Sequence, residues 1–363
     1  MLVERLRLRD FRTYAAVDVR IGPGITVVHG ANGAGKTNLV EGLYFGCTGR
    51  SCRTSNEREV VRFGAQAARA EVVLEGGHEL AVGFEPGEAK RFRVDGAPVE
   101  RLSDAPERPL VGVFLPDRLE LVKGAPGVRR AHIDQVVAAL WPGRAATRRD
   151  YAQALAQRNA LLSRIRGGRA DRSSISAWDA ELARHAIALR DDRGRAVALL
   201  ADRFAALATD LGLRGAPELR YRPRTSAATA AELTAELAER LDGDLDRGFT
   251  GHGPHRDDLV FSRDGRELRA YGSQGEQRIA LLALLMAERD ALAEERSAPP
   301  LLLLDDVMSE LDEARRGLLV ERLAAGGQSV ITTTELSHVP AAGAAIERIA
   351  VVDGGVLQEA EAA

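Results

Sequence analysis

The sequence predicts an α/β fold: a mixed sheet with helices, an antiparallel β lobe, and an inserted helical arm. Three observations lead to this fold class. A short apolar stretch at residues 25–29 runs into a glycine-rich loop and then into helix formers. Helix formers dominate residues 129–211, with apolar side chains three and four positions apart. A second apolar stretch, residues 301–304, ends in two adjacent carboxylates.

The glycine-rich loop has the full pattern G-x-x-x-x-G-K-[ST]. A strand, a glycine loop and a helix N-terminus together form a phosphate cradle, because the backbone N–H groups and the helix dipole both favour negative charge. Lys36 would reach the β- and γ-phosphates of a nucleotide, and the Thr37 hydroxyl would bind Mg²⁺. A glycine turn without a ligand is the disfavoured alternative, because every constrained position matches. The predicted ATP-binding residues are Gly30, Ala31, Asn32, Gly33, Ala34, Gly35, Lys36, Thr37 and Asn38.

The two carboxylates that follow residues 301–304 are Asp305 and Asp306. A buried parallel strand that ends in an acid suits a Mg²⁺–nucleotide site. Asp305 would hold the Mg²⁺ shell, largely through water, and Asp306 would orient or deprotonate the attacking water. A solvated turn after a core strand is the alternative, and the phosphate-binding loop makes it the weaker one.

Ser273-Gln274-Gly275-Glu276 precedes a long amphipathic stretch that we predict to be a helix over about residues 278–294. Ser273 and Glu276 have the spacing of a capping box. A hydroxyl and a glycine at a helix start also form an anion site, and the two interpretations are compatible.

Composition limits the possible partners. The 363 residues carry a net charge of −3, so no global cationic field requires nucleic acid. Two cysteines, Cys47 and Cys52, are too few for a disulfide framework or a four-cysteine zinc site. No apolar run approaches the ~20 residues that span a bilayer, and no signal-peptide pattern is present. We therefore expect a cytoplasmic protein without membrane contact.

The pattern along the chain predicts the domain organisation. Alternating residues at 1–11 and 17–21 and strand-like segments at 69–75, 79–85 and 90–95 form the antiparallel lobe. We predict a discontinuous head at 1–125 and 245–363 and an inserted arm at 126–244, since the later motifs complete the first half. The arm contains an antiparallel helix pair around a turn at residues 167–174, an edge strand at 216–223 and a helix at 227–243. Residues 46–64 are interpreted as a loop over the nucleotide. The alternative to an inserted arm is an independent helical domain at the same residues.

The cluster His252-Gly253-Pro254-His255-Arg256-Asp257-Asp258 leaves two interpretations open. Zinc would need more ligands in a tetrahedral frame. A polar loop beside the nucleotide or a dimer interface is favoured over a metal site.

Together these blocks resemble the heads of ABC-type ATPases, and most closely the RecF family of SMC-like DNA-repair proteins. The matching blocks occur in the family's order along nearly the whole chain. Two of them, GPHRDDL and QRNALL, distinguish this chain from a generic transporter subunit. The matching blocks are LRLRDFRTY, GANGAGKTNLVEG, GRSCRTS, GAPGVRR at 124–130, QRNALL at 157–162, GPHRDDL at 253–259, YGSQGEQR at 271–278 and LLDDVMSELD at 303–312.

The resemblance implies that ATP joins two copies of the chain. Ser273 and Gly275 of one copy would contact the γ-phosphate held by Lys36 of the other, with Asp312 at the dimer seam. It also implies a slow Mg²⁺-dependent ATPase that clamps single- and double-stranded DNA near their junctions and helps RecA loading with RecR and RecO. The candidate DNA-contacting arginines are Arg129, Arg130, Arg148 and Arg149.

The chain departs from the ABC pattern at three positions. Asp306 replaces the usual catalytic glutamate and is one methylene shorter. Threonines at 332–334 stand where a switch histidine is expected, and Leu115-Pro116-Asp117 stands at the glutamine-loop position. Slow turnover follows from these departures. The alternatives are an ATPase subunit of another ABC-type system, for transport or chromosome structure, and a DNA clamp in which ATP binding matters more than hydrolysis.

Overall fold

The computed structural model comprises two compact units. The first contains Met1–Arg118, Asp210–Gly212 and Leu292–Ala363, and the second contains Leu119–Thr209 and Leu213–Ala291. The structure describes residues 1–102, 105, 107–115, 119–296, 299–340, 346–352 and 355–358, without the side chains of Glu310 and Gln358.

The described strands, in chain order, are β1 (Val3–Phe11), β2 (Tyr14–Arg20), β3 (Ile25–His29), β4 (Ala68–Leu74), β5 (Glu79–Phe84), β6 (Arg91–Val94), β7 (Ala97–Val99), β8 (Val111–Phe114), β9 (Pro217–Arg222), β10 (Asp258–Arg263), β11 (Arg266–Glu267), β12 (Leu301–Leu304), β13 (Ser329–Thr333), β14 (Ile346–Val352) and β15 (Gly355–Gln358). The described helices are α1 (Lys36–Thr48), α2 (Glu120–Lys123), α3 (Pro126–Leu140), α4 (Thr147–Arg166), α5 (Ile175–Asp210), α6 (Ala230–Glu239), α7 (Leu241–Arg247), α8 (Leu268–Tyr271), α9 (Gln274–Arg296) and α10 (Glu313–Ala324).

One sheet of the first unit is antiparallel, with the order β2-β1-β4-β5-β6-β7. Its strands alternate because one face is buried: Leu6 and Leu8 of β1 point inward, whereas Arg7 between them is partly exposed. Asp95-Gly96 forms the predicted two-residue turn between β6 and β7, and both residues have positive φ. The predicted antiparallel lobe is therefore present.

The second sheet of this unit has the order β15-β14-β3-β13-β12-β8. Its strands β14, β3, β13, β12 and β8 run parallel, and β15 pairs antiparallel at the edge. Parallel strands end at the same sheet edge, so the loop after β3 and the acids after β12 come together there. β13 lies between them and contributes Thr332, which is paired with Val28 of β3.

Helix α1 packs between the two sheets and is buried on nearly all sides. Leu39, Val40 and Leu43 join one core with both sheets. Two glycines bring the antiparallel sheet close: a Cβ on Gly42 would lie 2.6 Å from Leu8 Cδ1, and one on Gly46 would lie 2.5 Å from Val72 Cγ2. The helix that begins at the glycine loop is thus fixed by packing along its length.

The second unit is largely helical and contains the small antiparallel sheet β11-β10-β9. Helices α4 and α5 form the predicted antiparallel pair: Leu162 clusters with Ile175 near the turn, and Ala154 clusters with Ala183 farther from it. β9 is the predicted edge strand. Helix α3 packs on β10.

Several predicted limits differ from the structure. The second unit begins at Leu119 and continues to Ala291, beyond the predicted arm at 126–244, because β10 pairs with β9 and so keeps the later segment with the helices. The single helix predicted at 227–243 is two helices, α6 and α7, which meet at Arg240. Helix α9 begins at Gln274, four residues earlier than predicted. The segment predicted as a loop at 46–64 starts inside α1 and includes a 3-10 turn at Glu57–Val60.

Candidate functional site

The glycine loop between β3 and α1 has the backbone that a phosphate cradle requires. Gly30, Gly33 and Gly35 have φ of 154°, 80° and 119°. A Cβ on Gly30 would lie 2.3 Å from the Val351 carbonyl oxygen, so only glycine fits there. Tyr14 is fully buried and donates its hydroxyl to the Gly35 carbonyl at 2.9 Å, which fixes the turn into α1.

Lys36 is the first residue of α1, and its ammonium group lies against the loop. Nζ donates to the carbonyl oxygens of Gly30 at 2.8 Å and Ala31 at 3.0 Å. Burial lowers the pKa of Lys36, and the charges of Asp306 and then Asp305 oppose that shift. The predicted lysine and the two predicted acids therefore belong to one electrostatic site.

Thr37 and Asp305 are in direct contact. Thr37 Oγ1 donates to the Asp305 carboxylate, with distances of 3.0 Å to Oδ1 and 2.9 Å to Oδ2. Thr332 Oγ1 donates to Asp305 Oδ1 at 2.6 Å. Burial raises the pKa of Asp305, and the hydrogen bonds from Thr332 and Thr37 oppose that rise.

Oxygen atoms of this kind fit Mg²⁺, which takes hydroxyl and carboxylate ligands and keeps several waters. No group of three or more histidine, cysteine or acidic side chains that could hold a metal occurs among the residues that the structure describes. A nucleotide-bound Mg²⁺ does not need such a group, because phosphates and water complete its shell. Thr37 and Asp305 can therefore serve as the protein ligands of such an ion.

Asp306 has an unusual backbone. Its φ of 47° lies in the left-handed region, which costs a non-glycine residue about 1 kcal/mol and often marks a functional position. Its N–H donates to Thr332 Oγ1 at 2.9 Å. Its Oδ1 is buried and accepts no hydrogen bond from the part of the chain that the structure describes. A buried carboxylate oxygen without a partner is uncommon in a folded protein and marks Asp306 as a candidate functional residue.

Three of the sequence blocks meet at Glu41, which is not among the predicted site residues. Its side chain on α1 is fully buried. Arg12 donates to its two oxygens at 2.8 and 2.7 Å, and Ser51 donates at 2.6 Å. Arg53 lies 3.4 Å from Oε2 and donates to Asn38 Oδ1 at 3.0 Å. The blocks FRTY, NLVEG and GRSCRTS therefore stabilise the first turns of α1. This role can be recognised only once the fold is known.

Ser273 and Gly275 lie in the second unit, at the exposed start of α9. The predicted capping box is present: the Ser273 N–H donates to Glu276 Oε2 at 2.8 Å, and the Glu276 N–H donates to Ser273 Oγ at 3.3 Å. Asp312, in the first unit, caps α10 by accepting from the Arg315 N–H at 2.9 Å. Both serine and aspartate are solvent-exposed.

The histidine cluster forms a buried polar network inside the second unit. His255 Nδ1 accepts from the Tyr151 hydroxyl at 2.6 Å, and Nε2 lies 2.9 Å from the Thr250 carbonyl. His252 Nε2 lies 2.9 Å from Glu236. Because these ring nitrogens already have protein partners, the described residues favour the polar-loop interpretation over a metal site.

The four candidate DNA-contacting arginines differ in exposure and in their hydrogen-bond partners. Arg129 is 1% exposed and pairs with Asp258, at 2.7 Å from Nε to Oδ1, so its assignment as a DNA contact was wrong. Arg130 donates to the Asp257 carbonyl at 2.8 Å. Arg148 and Arg149 are exposed.

The positions that depart from the ABC pattern are partly described. Thr332 bonds Asp305, and Thr333 Oγ1 donates to the Glu335 carbonyl at 2.9 Å. At the glutamine-loop position Leu115 is buried, whereas Pro116 and Asp117 lie outside the described residues. Thr332, on the strand where the switch histidine is expected, therefore forms hydrogen bonds with both Asp305 and Asp306.

Comparison with known proteins identifies the family. A model of an AAA domain matches residues 5–95. The DNA replication and repair protein RecF of Anaeromyxobacter sp. (strain Fw109-5) is 41% identical over 353 residues, which cover 93% of this chain and 94% of the relative. The chain belongs to the RecF family. The RecF of Kineococcus radiotolerans is 37% identical and matches 99% of this chain and 100% of its own length.

Solved structures agree with the RecF assignment. The chain superposes on the recombination mediator protein RecF-ATP of the RecFOR pathway with a TM-score of 0.86, 26% identity, and coverage of 99% of this chain and 98% of that one. An Smc head bound to a domain of ScpA matches with a TM-score of 0.62 at 16% identity, which supports the fold alone. The predicted fold class, an ABC-type P-loop ATPase head, is confirmed. Of the described helices, none has an apolar stretch long enough to cross a bilayer.

Proposed function

We propose that this chain is an ATP-dependent DNA-binding protein of DNA replication and recombinational repair that acts in the cytoplasm. The observation that carries the proposal is the convergence of Lys36, Thr37, Asp305 and Asp306 at one sheet edge. The names of its relatives support the repair role. The related structure described as RecF-ATP supports ATP as the nucleotide.

In the proposed site the residues divide the work. Backbone N–H groups of residues 30–38 bind the phosphates, and Lys36 exchanges its two carbonyl partners for phosphate oxygens. Thr37 and Asp305 hold Mg²⁺, which neutralises phosphate charge when bound. Asp306, next to Asp305 at the end of β12, orients the attacking water or accepts its proton.

ATP would also join two copies of the chain. Ser273 and Gly275 lie exposed at the positive end of α9, where a hydroxyl and helix N–H groups can meet a phosphate. Ser273 and Gly275 of one copy would contact the γ-phosphate that Lys36 of the other copy holds. Asp312 would lie near the seam between the two copies. Binding closes the dimer around DNA near single-strand/duplex junctions, and slow hydrolysis releases it. RecR and RecO are the proposed partners, with loading of RecA as the outcome.

The test is DNA affinity in both nucleotide states. A gel shift with junction, single-stranded and duplex DNA, repeated at several salt concentrations, should show tighter binding with ATP and a steep loss of affinity as salt rises. The Lys36→Ala variant, which cannot hold the phosphates, should bind equally with and without ATP. Equal affinity of the wild type in both states would contradict the clamp.

The second candidate function is that of an ATPase subunit in another ABC-type system, for transport or chromosome structure. The match to Smc heads supports only the shared fold, and no observed feature favours a transport role. ATP hydrolysis that is fast and indifferent to DNA would favour this candidate.

A further inference from the structure

A groove of about 630 Å³ lies on the antiparallel sheet of the first unit. Its lining comes from β1, β4, β5 and β6 and from the segments that flank them. It contains five arginines and two carboxylates, which leaves a local charge of +3 on a chain whose net charge is −3. The charged lining residues are Arg9, Arg62, Arg69, Arg91, Arg93, Asp10 and Glu85.

Strand register places three of these arginines in one row across the sheet. Arg9 is paired with Arg69, Arg69 with Gly83, and Gly83 with Arg91. Like charges directly opposite each other destabilise a sheet, so a row of this kind breaks a local rule, as functional sites do. Gly83 has no side chain and therefore leaves a depression between Arg69 and Arg91.

The acids nearby neutralise the row only in part. Arg69 pairs with Glu71, and Arg91 lies 3.8 Å from Glu85 while 74% of its side chain stays exposed. Arg9 is exposed and has no acidic partner among the residues described. Guanidinium groups that are planar, exposed and incompletely paired suit bidentate binding of phosphate.

An exposed aromatic residue belongs to the segment that borders the groove. Phe63 lies in the chain between the lining residues Arg62 and Ala65 and is 100% exposed. Arg62 is held by Asp10 at 2.7 Å, which fixes this segment beside the groove. Exposed phenylalanine beside a cationic groove is the combination that binds single strands, because phosphates follow the arginines while unpaired bases stack on the ring. A duplex would offer phosphates but no free base faces.

We propose that this arginine groove binds single-stranded nucleic acid, with Arg9, Arg69 and Arg91 on the phosphates and Phe63 stacked on a base. The proposal rests on the proposed function and supplies the surface for its single-stranded partner. It places that contact on the antiparallel lobe, in a groove whose lining includes none of the predicted nucleotide-binding residues.

Fluorescence anisotropy with a labelled oligothymidine and with a duplex of equal length tests this assignment in the presence of ATP. Arg9→Ala combined with Arg91→Ala should weaken single-strand binding about tenfold or more and lower the slope of log affinity against log salt by about 1.4, since each single-strand phosphate contact contributes about 0.7. Phe63→Ala should weaken it about five- to tenfold and leave the salt slope unchanged. Arg9→Lys with Arg91→Lys should retain most of the slope.

The matched control is Arg172→Ala with Arg184→Ala, which removes two exposed arginines of the second unit. It should bind as wild type does. If the groove variants also bind as wild type does, the groove assignment is overturned while the proposed function stands. Equal losses on single strands and duplex overturn the single-strand assignment. A wild type that binds no DNA with ATP contradicts both proposals, and unchanged binding of a fluorescent ATP analogue verifies that every variant is folded.

Discussion

Thr37 donates its hydroxyl to both carboxylate oxygens of Asp305, at 3.0 and 2.9 Å. The two residues are 268 positions apart and join the start of α1 to the end of β12. Thr332 adds a third contact, from β13 between them. A hydroxyl held on a buried carboxylate is a preorganised pair of oxygen ligands, so the proposed magnesium site depends on contacts that the fold itself provides.

Thr37→Val keeps the shape of the side chain but removes the hydroxyl. We expect the gain in ATP affinity that wild type obtains from Mg²⁺ to fall about tenfold, in the range seen when a metal site loses a supporting oxygen. Equilibrium binding of a fluorescent ATP analogue with Mg²⁺ and with EDTA measures this gain. Thr37→Ser restores the hydroxyl and should restore the gain; a full gain in the valine variant would exclude Thr37 as a ligand.

Lys36→Ala should abolish tight ATP binding and leave the fold intact. The ammonium contacts only the carbonyl oxygens of Gly30 and Ala31 in the described structure, so its loss breaks no ion pair and leaves no side-chain partner unpaired. The same fluorescent analogue gives the dissociation constant, and circular dichroism verifies the fold. An unchanged dissociation constant would contradict the assignment of the loop.

Sequence alone predicted the parts of the site that are local. The loop before α1 and the acids after β12 are short patterns whose chemistry follows from their neighbours, and parallel strands bring them together. Glu41 could not be predicted, because its partners Arg12, Ser51 and Arg53 are brought together only by the packing of α1.

The same limit explains the error at Arg129. An arginine in a basic stretch is expected to be exposed, and only the tertiary structure supplies Asp258, 129 residues away, as its buried partner. The arginine row on β1, β4 and β6 is likewise invisible without strand register. The unit limits were missed for a related reason, since β9 and β10 pair across 36 or more residues.

Asp306→Asn should separate binding from hydrolysis. Asparagine tolerates the left-handed backbone that Asp306 adopts, with φ of 47°, so the turn after β12 is preserved. The amide cannot accept the proton of water, and we expect turnover to fall by roughly 10²-fold or more. ATP affinity should remain. Steady-state phosphate release is the measurement, and a wild-type rate would mean that another group is the base.

The His255 imidazole should remain neutral at pH values well below those at which histidines usually become protonated. Burial lowers its pKa from 6.5 to about 4, and its Nδ1 accepts from Tyr151. A histidine with a depressed folded pKa contributes stability that is present above pH 6.5 and is lost as pH falls toward 4. At pH 5 the loss, relative to a pH well above 6.5, is about 2 kcal/mol.

Two measurements check the His255 prediction. NMR titration of the seven histidines should show one ring that titrates near pH 4, and its resonance should be absent from His255→Gln. That variant should also lose less stability in urea between pH 7 and pH 5 than wild type does. A resonance that titrates near 6.5 would contradict the buried, neutral state.

The last prediction concerns Ser273, which is exposed at the start of α9 and forms a capping box with Glu276. Ser273→Arg would place a bulky cation where the hydroxyl and helix N–H groups should meet a partner copy's γ-phosphate. We expect this variant to bind ATP as a monomer and to neither dimerise nor hydrolyse it. Analytical ultracentrifugation with ATP gives the oligomeric state.

A second variant separates the cap from the phosphate contact. Ser273→Asp preserves an N-cap, because aspartate caps helices as well as serine does, yet its carboxylate would repel the γ-phosphate. It should also remain monomeric with ATP. Mixing Ser273→Arg with Lys36→Ala restores one composite site, from Lys36 of the first and Ser273 of the second, and should recover some dimer; a single site gives little turnover where closure is cooperative. If Ser273→Arg and Ser273→Asp both dimerise as wild type does, Ser273 is a helix cap and the dimer must form through other residues.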